Sequence, residues 1–396
     1  MANTVITPTA LTREALRVLH QKSNFLGTIN RSYDDSFAKT GAKIGDTLRI
    51  RNPNEFTIRT GATRSNQDVT ETYQTLQVAT QKGVDFSFST IEWTLSLDEF
   101  SKRYIVPAMT RLAAEIEADA LTMYKDVYNI VDGDAAAVAL VHFLNGRKAL
   151  RDNLAPPDNI NALLSTTHTV KLVDALKGLF QDSTEISKQY REGLMGRTAG
   201  ADFFENTLVL DHTTGTAAKT TGYLSNGATQ SGASIIVDTG TTTFLKGDIV
   251  TFAGVNAVHP ETKTSTGVLK QFVITADSGA SATTLAISPA LVATGATKNA
   301  STTIADNSAI VKVGAGASEL LNSSMMYHKD AFTFVTADLV MPKGTHMAAR
   351  EVMDGISMTF VSDYQISDGS FPCRLDVLYG YKALRPQHAV RIHADG

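Results

Sequence analysis

Two stretches of the chain decide the fold: DTLRIRNPNEFTI at residues 46–58 and TLQVATQKGVDFSF at residues 75–88. In both stretches apolar residues alternate with polar ones, which is the period of a β-strand with one buried face. The residues between them, 59–72, are polar and include Gly61. The pattern predicts a long two-stranded hairpin over residues 46–90. Because an isolated ribbon is marginally stable in water, the hairpin needs a further surface, its own or that of a neighbouring copy.

Helical spacing of apolar residues marks the segments on either side of the hairpin. Residues 7–27 predict a short amphipathic arm, and residues 28–45 predict an extended connector. After the hairpin, apolar residues recur at helical spacing from Phe100 to about Val131, which predicts one helix of roughly 50 Å. Pro107 either kinks this helix or lies in its first turn.

The later segments alternate between helix and strand. A helix is predicted from Asp134, a good capping residue, to Leu154, and another over residues 170–180, with a buried strand at residues 160–164 between them. After residues 212–318, whose composition differs from the rest, a short helix is predicted around residues 319–326. Strands follow it at residues 332–336, 356–363 and 374–378. This order indicates a mixed α+β fold.

Residues 212–318 differ from the rest of the chain, because they are rich in Thr, Ser, Ala and Gly and carry few charges. Short apolar runs lie within them and are separated by glycine and aspartate turns. These runs are residues 234–237, 248–252, 271–275, 284–287 and 309–313. Their regular spacing favours an inserted all-β module over a disordered linker, which is the other interpretation of such a composition.

The overall composition argues against several classes of protein. The chain has 396 residues, of which 43% are hydrophobic, and this is enough for one large core or several smaller ones. A net charge of −4 argues against sequence-specific DNA binding, which depends on a basic surface. Cys373 is the only cysteine, so an intramolecular disulfide and a cysteine zinc site are excluded. We also expect no signal peptide and no membrane span.

No pattern of catalytic or ligand-binding residues stands out. The nine histidines are scattered and do not pair at the spacing of a metal site. Asp132 and Asp134 could bind a cation, but they are better explained as a helix cap. Cys373 follows Pro372 in a predicted strand and is interpreted as a core residue rather than a nucleophile. We therefore predict no catalytic, cofactor-binding or metal site and no enzyme activity.

Arginines recur along the predicted hairpin, at Arg49, Arg51, Arg59 and Arg64. One interpretation is that they form the solvated face of a strand. The other is that they bind carboxylates of an adjacent subunit, where the guanidinium group gives geometry as well as charge. We retain these arginines as candidate intersubunit contacts.

Particular motifs add a resemblance to a known family. They are YIVPAMTRLAAEIE at residues 104–117, REGLMGRTAG at residues 191–200 with Phe203, KGDIVTFAGV at residues 246–255, and CRLDVLYGYKALRPQHAVR at residues 373–391. Together with the order of segments, they resemble the major capsid proteins of tailed bacteriophages. The similarity is to the branch with an inserted β domain that short-tailed phages of enteric bacteria typify.

The resemblance implies an α+β fold of the tailed-phage major capsid type, in which the hairpin is called the E-loop. It also implies a peripheral domain with a long spine helix, an axial domain and an inserted barrel-like β domain. The expected division is an N-terminal arm (1–45), the E-loop (46–90), the spine helix (91–133), the first part of the axial domain (134–211), the inserted domain (212–318), and a return through the axial domain and the peripheral sheet (319–396).

The resemblance further implies a subunit that self-assembles, as pentamers and hexamers, into an icosahedral shell around double-stranded DNA held without sequence specificity. The implied partners are a scaffolding protein during assembly and a portal protein, with no membrane. The expected location is the virion, after assembly in the host cytoplasm. In this family the inserted domain often carries a long charged loop that reaches the next capsomer. Residues 222–246 are short and nearly uncharged, so we predict that this bridge is absent.

Three other functions remain open from the sequence. An encapsulin-like compartment shares the fold but encloses cargo enzymes, and the β insertion and the closing Arg-Pro motif favour the phage protein over it. A tail or adhesion protein would suit the Thr- and Ser-rich β region, although such fibres usually contain repeats and none is visible. An enzyme is the third alternative, and a small ligand that raises the melting temperature would reveal it.

Overall fold

The computed structural model describes residues 8–34, 47–64, 66–68, 71–89, 101–176, 196–198, 200–353, 355–367 and 369–395. The α-helices are Pro8–Lys22, Phe25–Thr28, Val106–Leu121, Leu140–Asp152 and Thr166–Leu176. The strands are β1 (Asn30–Asp34), β2 (Thr47–Arg51), β3 (Tyr73–Gln77), β4 (Thr80–Ser89), β5 (Ile130–Ala137), β6 (Ile160–Leu164), β7 (Arg197–Thr198), β8 (Ala201–Glu205), β9 (His212–Thr213), β10 (Thr220–Ser225), β11 (Gly232–Asp238), β12 (Ile249–Val258), β13 (Ser265–Ile274), β14 (Thr284–Leu291), β15 (Ala309–Lys312), β16 (Leu320–Leu321), β17 (Ser324–His328), β18 (Phe332–Ala337), β19 (Met347–Met353), β20 (Ile356–Ser362), β21 (Ser370–Ala383) and β22 (Ala389–Asp395). The predicted α+β class is confirmed.

The chain forms two compact units, each built from segments that are distant in sequence. The first unit contains Met1–Arg51, Tyr73–Leu121 and Phe332–Leu384. The second contains Asn52–Thr72, Thr122–Ala331 and Arg385–Gly396. The expected division into arm, E-loop, axial, peripheral and inserted domains stays a prediction.

The first unit is built on a six-stranded sheet whose central strand is β21. The sheet runs β1-β18-β21-β20-β19, and β4 also pairs with β21, from Ser370 opposite Ser89 to Tyr379 opposite Thr80. The side chains of Phe334, Phe360, Leu375 and Val377 are fully buried. Alternation of apolar and polar residues along these strands therefore gives the unit its core.

The helix Val106–Leu121 is shorter than the sequence predicts. Its 16 residues span about 24 Å at 1.5 Å per residue, about half of the predicted length. A π-helical turn, Ser101–Ile105, precedes it, and Pro107 lies in its first turn, where the missing N–H breaks no helical bond. The predicted continuation to Val131 is wrong, because β5 begins at Ile130 and pairs with β22. Sheet pairing here overrides the helical spacing.

The helix predicted from the apolar spacing of residues 7–27 is confirmed as Pro8–Lys22. Its buried residues recur at helical spacing and include Leu11, Ala15, Leu16, Val18 and Leu19. After the helix, the backbone N–H of Phe25 donates a hydrogen bond of 2.5 Å to the buried carboxylate of Glu117. The arm is therefore fastened within the first unit by packing and by a charge-assisted hydrogen bond.

The second unit contains a six-stranded sheet in the order β5-β22-β17-β6-β8-β7. The buried strand predicted at residues 160–164 is confirmed as β6. Asp134 lies in β5 and does not cap a helix; the next helix begins at Leu140, where His142 Nδ1 accepts the Ala139 N–H at 3.0 Å. The helix predicted at residues 170–180 is Thr166–Leu176, and its predicted end lies outside the described residues.

The short helix predicted around residues 319–326 is wrong. The structure has β16 and β17 there, and all five residues of β17 are buried. β17 pairs with β22 on one side and with β6 on the other. Two hydrogen-bonded neighbours satisfy this backbone better than an isolated helical turn would, so tertiary pairing decides its conformation.

Within the second unit, residues 220–312 form a closed barrel in the order β10-β11-β14-β13-β12-β15. Its core consists of buried side chains that include Tyr223, Phe244, Phe252 and Phe272. Strands overlap all the apolar runs predicted for the insertion, and β10 was missed. The sequence did not predict β10, because Gly222 (φ 75°) and two threonines interrupt its apolar pattern. The register of β10 with β15 shifts at the same place.

Cys373 is buried in β21, as predicted, and its chemistry follows from that position. Burial raises the pKa of the Cys373 thiol to about 12, and a hydrogen bond to Ser362 at 3.2 Å offsets only part of this effect. Because the thiolate is the reactive species, native protein at pH 8 should react with Ellman's reagent at least about 100-fold more slowly than unfolded protein in guanidinium chloride. Equal rates in the two conditions would contradict the buried position.

Candidate assembly surface

The ribbon predicted over residues 46–90 is present but shorter. β2 and β3 pair from Thr47 opposite Gln77 to Arg51 opposite Tyr73. The predicted inclusion of residues 80–89 in the ribbon is wrong, because β4 pairs along its whole length with β21. A ten-residue ladder to a sheet satisfies more backbone groups than a free ribbon does.

One face of the ribbon is packed on the sheet of the first unit. Leu76 and Val78 are fully buried, and Leu48 and Ile50 are partly buried beside them. They pack against Val335, Ala337, Leu339 and Leu378. Gly380 permits this approach, because a Cβ at that position would lie 2.2 Å from the Gln77 carbonyl oxygen. The base of the ribbon is therefore anchored on its own unit.

The opposite face of the ribbon is polar and exposed. Arg49 and Arg51 lie on it, and the Arg49 guanidinium stacks 5.1 Å from the centre of the Tyr73 ring. Lys382 Nζ donates to the Thr75 carbonyl oxygen at 2.7 Å, which adds a hydrogen bond between the ribbon and the sheet. This face presents an arginine and an aromatic ring to solvent, the residue types that are enriched at protein interfaces.

The segment Asn52–Thr72, here called the tip, has hydrogen bonds of its own. The Thr57 N–H donates to Gln67 Oε1 at 2.8 Å, and Gln67 Nε2 donates to the Thr57 carbonyl oxygen at 2.5 Å. Arg59 donates to the carbonyl oxygens of Gly61 and Thr63. Arg64 and Asn66 also form a hydrogen bond, of 2.6 Å. These contacts hold the tip in shape without a hydrophobic core.

Apolar side chains of the tip are left in water. Phe56 is 60% exposed and Ile58 is 94% exposed. The tip also forms an ion pair of 2.9 Å between Glu55 and Lys263, a barrel residue; both side chains are partly exposed, so the pair contributes at most about 1 kcal/mol. Because hydrogen bonds hold the loop in one shape, its exposed apolar residues are suited to be buried against another molecule.

The candidate arginines thus fall into two pairs. Arg49 and Arg51 lie on the exposed face of the ribbon, and Arg59 and Arg64 hold the conformation of the tip. Sequence patterning found the exposed position of all four, and it missed that Arg59 and Arg64 bond to their own loop. Their role between subunits stays a prediction.

An apolar seam that the sequence did not indicate joins the barrel to the sheet of the second unit. Tyr128, Ile130, Ile249 and Val273 are buried together in it. The Gln271 side-chain amide accepts from the Ile130 N–H at 2.8 Å and donates to the Ile130 carbonyl oxygen at 3.0 Å. Gln271 therefore bonds to the backbone at the start of β5 as a neighbouring strand would.

The described residues offer little for other kinds of site. No group of three or more His, Cys, Asp or Glu side chains in this part of the chain could hold a metal ion. Among the helices that the structure describes, none has the length and hydropathy needed to cross a membrane.

The fold combines two α+β units, a ribbon with an exposed face and, in the second unit, a closed barrel. The model of the P22 coat protein family, described as gene protein 5, matches residues 43–393. Because this covers most of the chain, the chain belongs to the P22 coat protein family. It is a major capsid protein, which self-assembles into the shell of a virion.

Similar solved structures also come from capsids and related particles. The chain resembles a structure from Mycobacterium phage Che8 with 13% identity and a TM-score of 0.48, over 93% of this chain and 90% of that chain. It resembles the mature capsid of bacteriophage PhiM1 with 13% identity and a TM-score of 0.44, over 94% and 87%. It also resembles a virus-like particle from Pyrococcus furiosus with 9% identity and a TM-score of 0.38, over 97% of both chains. No curated protein matches the chain.

Proposed function

We propose that the protein forms an icosahedral phage shell from pentamers and hexamers, and that the shell encloses double-stranded DNA without reading its sequence. The single observation that carries this proposal beyond the family is the tip, which exposes Ile58 almost completely while hydrogen bonds between Thr57 and Gln67 hold the loop in shape. Interfaces of rotational symmetry let one such surface be used by every subunit of a ring. Many weak contacts then add up to a stable particle.

The ribbon is the proposed contact between neighbouring subunits. Its inner face is already used by the sheet of the first unit, so its outer face and the tip are available to a second copy. Arg49 and Arg51 would meet carboxylates or carbonyl oxygens of that copy. Arg59 and Arg64 would contribute indirectly, by holding the tip in shape.

The capsomer bridge is proposed to differ from that of relatives with a long charged loop. Residues 222–246 hold most of β10, all of β11 and their connections, and their charged residues are Asp238 and Lys246. Such a segment offers few ion pairs to a neighbouring capsomer. We expect the ribbon, the arm or another protein to supply these contacts.

The remaining partners follow from the same proposal. A shell of this kind requires a scaffolding protein during assembly and a portal at one vertex, and assembly would take place in the host cytoplasm. We propose no catalytic role. The net charge of −4 suits an inner wall that does not trap packaged DNA.

Particle composition tests the proposal and separates it from the encapsulin-like alternative. The chain should form closed shells by negative-stain electron microscopy when it is expressed with a scaffolding protein. Particles purified from a phage lysate should hold double-stranded DNA that resists added nuclease. Shells that contain protein cargo and no protected DNA would instead support the compartment.

The barrel has a core of its own, and we expect it to fold alone. Each large apolar side chain buried in that core contributes about 1.5–3 kcal/mol. A fragment of residues 212–318 should therefore unfold cooperatively on heating. A matched fragment of residues 226–318 lacks β10, which pairs with both β11 and β15, and should show no such transition. Equal transitions in the two fragments would show that closure of the barrel is not needed for it to fold cooperatively.

A further inference from the structure

A buried polar cluster lies where the chain enters the barrel in the second unit. It consists of Tyr124, His212, Gly247, Asp248 and Arg391, and we call it the joint. His212, Asp248 and Arg391 are each at most 3% exposed. Tyr124 and Arg391 lie outside the barrel, whereas Gly247 and Asp248 lie in the turn that leads into β12. The joint therefore connects the barrel to the rest of the unit through groups that can carry charge.

The Asp248 carboxylate is the acceptor at the centre of the joint. One oxygen, Oδ1, accepts a hydrogen bond of 2.8 Å from His212 Nε2. The other, Oδ2, accepts from the backbone N–H groups of Gly215 at 3.0 Å and Leu245 at 2.9 Å. Both oxygens of this buried carboxylate are therefore satisfied by hydrogen bonds. Asp248 thus fixes the imidazole and two barrel loops at once.

The His212 ring is satisfied as a neutral imidazole. Its Nε2–H donates to Asp248, so its Nδ1 is left to accept from the Tyr124 hydroxyl, 3.3 Å away. The ring is closely packed on the barrel side, because a Cβ on Gly247 would lie 2.9 Å from its Cε1 atom. A proton added at Nδ1 would remove the acceptor that the Tyr124 hydroxyl uses.

Cations already surround the ring. The Arg391 guanidinium lies 5.8 Å from the centre of the Tyr124 ring and donates to the Gly247 carbonyl oxygen at 2.7 Å. Its Nε has no hydrogen-bond partner among the described residues. The positive charge of Lys125 lowers the pKa of His212, and the negative charge of Asp248 attracts the Lys312 ammonium group. A protonated His212 would add another positive charge to this buried group.

The opposing charges are the Asp248 carboxylate and, near Tyr124, the exposed Asp211. The negative charge of Asp126 attracts the Arg391 guanidinium, and Asp126 also forms an ion pair of 3.5 Å with Lys246. Asp248 is therefore the carboxylate in direct contact with the imidazole, and it already accepts two backbone hydrogen bonds. The electrostatic balance of the joint depends on His212 being neutral.

We propose that the joint is an acid-released latch: neutral His212 holds the barrel against the sheet of its own unit, and protonation of His212 loosens the barrel. The hydrogen bonds between the Gln271 side chain of the barrel and the Ile130 backbone of the sheet would open with it. The barrel has its own core and its own closed ladder, so the release would affect its docking and not its fold.

The direction of the pH effect follows from the environment of the ring. Burial lowers the pKa of the His212 imidazole below its ordinary value, and the hydrogen bond with Asp248 only partly opposes this. A released imidazole therefore binds protons more tightly than the docked one. The docked state is fully stable above the ordinary histidine pKa of about 6.5 and loses stability as the pH falls below it.

Hydrogen exchange of the full-length chain tests the latch. Exchange of the Ile130 amide, which donates to the barrel residue Gln271, is measured at pH 7.5 and pH 5.0 and corrected for the intrinsic rate. We expect the wild-type protein to lose protection there by at least about threefold at pH 5.0. The His212→Gln variant keeps a donor for Asp248 and cannot titrate, so its protection should not change with pH. The control His346→Gln, an exposed histidine of the first unit, should behave as wild type.

A pH response in His212→Gln equal to that of wild type would overturn the proposal, and so would its absence in wild type. If His212→Gln does not fold, the ring resonances of His212 in the wild-type protein replace it. Their titration should coincide with the loss of protection at Ile130. Protection that is lost at a pH where the His212 ring stays neutral would also overturn the latch.

Discussion

Removing residues 59–66, the outer part of the tip, is expected to give a folded monomer that forms no shells. The deletion joins positions that are already close, because Thr57 and Gln67 bond to each other through two hydrogen bonds. The deleted residues that the structure describes, 59–64 and 66, are all exposed, so the melting temperature should change little. Circular dichroism would measure the fold, and electron microscopy and sedimentation would measure the shells, which should be absent where wild type assembles fully.

A pair of point variants controls for the change in loop length. Ile58→Ser removes the exposed apolar side chain, whereas Ile58→Val keeps most of it. The serine variant should raise the concentration needed for assembly by about tenfold, because a buried isoleucine contributes roughly 1.5–3 kcal/mol per contact. The valine variant should assemble nearly as wild type does. Normal particles from the deletion would refute the role of the tip.

The second large effect is expected at Gly380, beneath the ribbon. A methyl group added by Gly380→Ala would lie 2.2 Å from the Gln77 carbonyl oxygen and 3.0 Å from the Val78 Cα. Both neighbours are backbone atoms, so the ribbon must move away from the sheet and expose Leu76 and Val78. Overpacking of this kind costs about 1–3 kcal/mol. Urea denaturation should show that loss, and shell formation should fall with it because the ribbon is displaced.

Gly27→Ala is the matched control in the same unit. A Cβ at Gly27 meets no atom within 4 Å, and this glycine lies in the short helix Phe25–Thr28. Alanine should therefore leave stability unchanged or raise it slightly, because it is the better helix former. If both variants were equally stable and assembled equally, the close approach at Gly380 would not matter for the ribbon.

The elements that could be predicted from the sequence are those whose pattern is not contested by distant pairing. The arm helix and β6 lie where periodicity places them, because their apolar residues face a core on one side or on both sides. The barrel strands could be found from short apolar runs between turns. In each case the local pattern and the tertiary environment favour the same conformation.

The errors fall where pairing with a distant segment decides the conformation. Residues 80–89 have the alternation of a ribbon strand, but their partner is β21 rather than β2. Residues 130–131 continue a helical pattern, but they pair with β22. The strand β17 is buried throughout, but its apolar run is only residues 325–327, and so short a run does not distinguish a helix from a strand.

The assembly surface was partly predictable, and the joint was not. Arginines along the predicted hairpin suggested either a solvated face or an intersubunit contact, and all four are exposed in the structure, while their role between subunits stays a prediction. No motif links His212 to Asp248 or either of them to Arg391, because their proximity depends on closure of the barrel and on β22. The scattered histidines in the sequence therefore gave no sign of a buried contact.

The position of β21 has a consequence for synthesis of the protein. β4 is made before its partner β21, and the barrel strands come between them in the chain. On the ribosome, the barrel can close while β4 still lacks its neighbour. The nascent chain thus carries an unpaired strand until β21 has been made, and aggregation competes with folding during that interval. Slow elongation after the barrel would lengthen this interval, and a chaperone that shields β4 would be most useful during it.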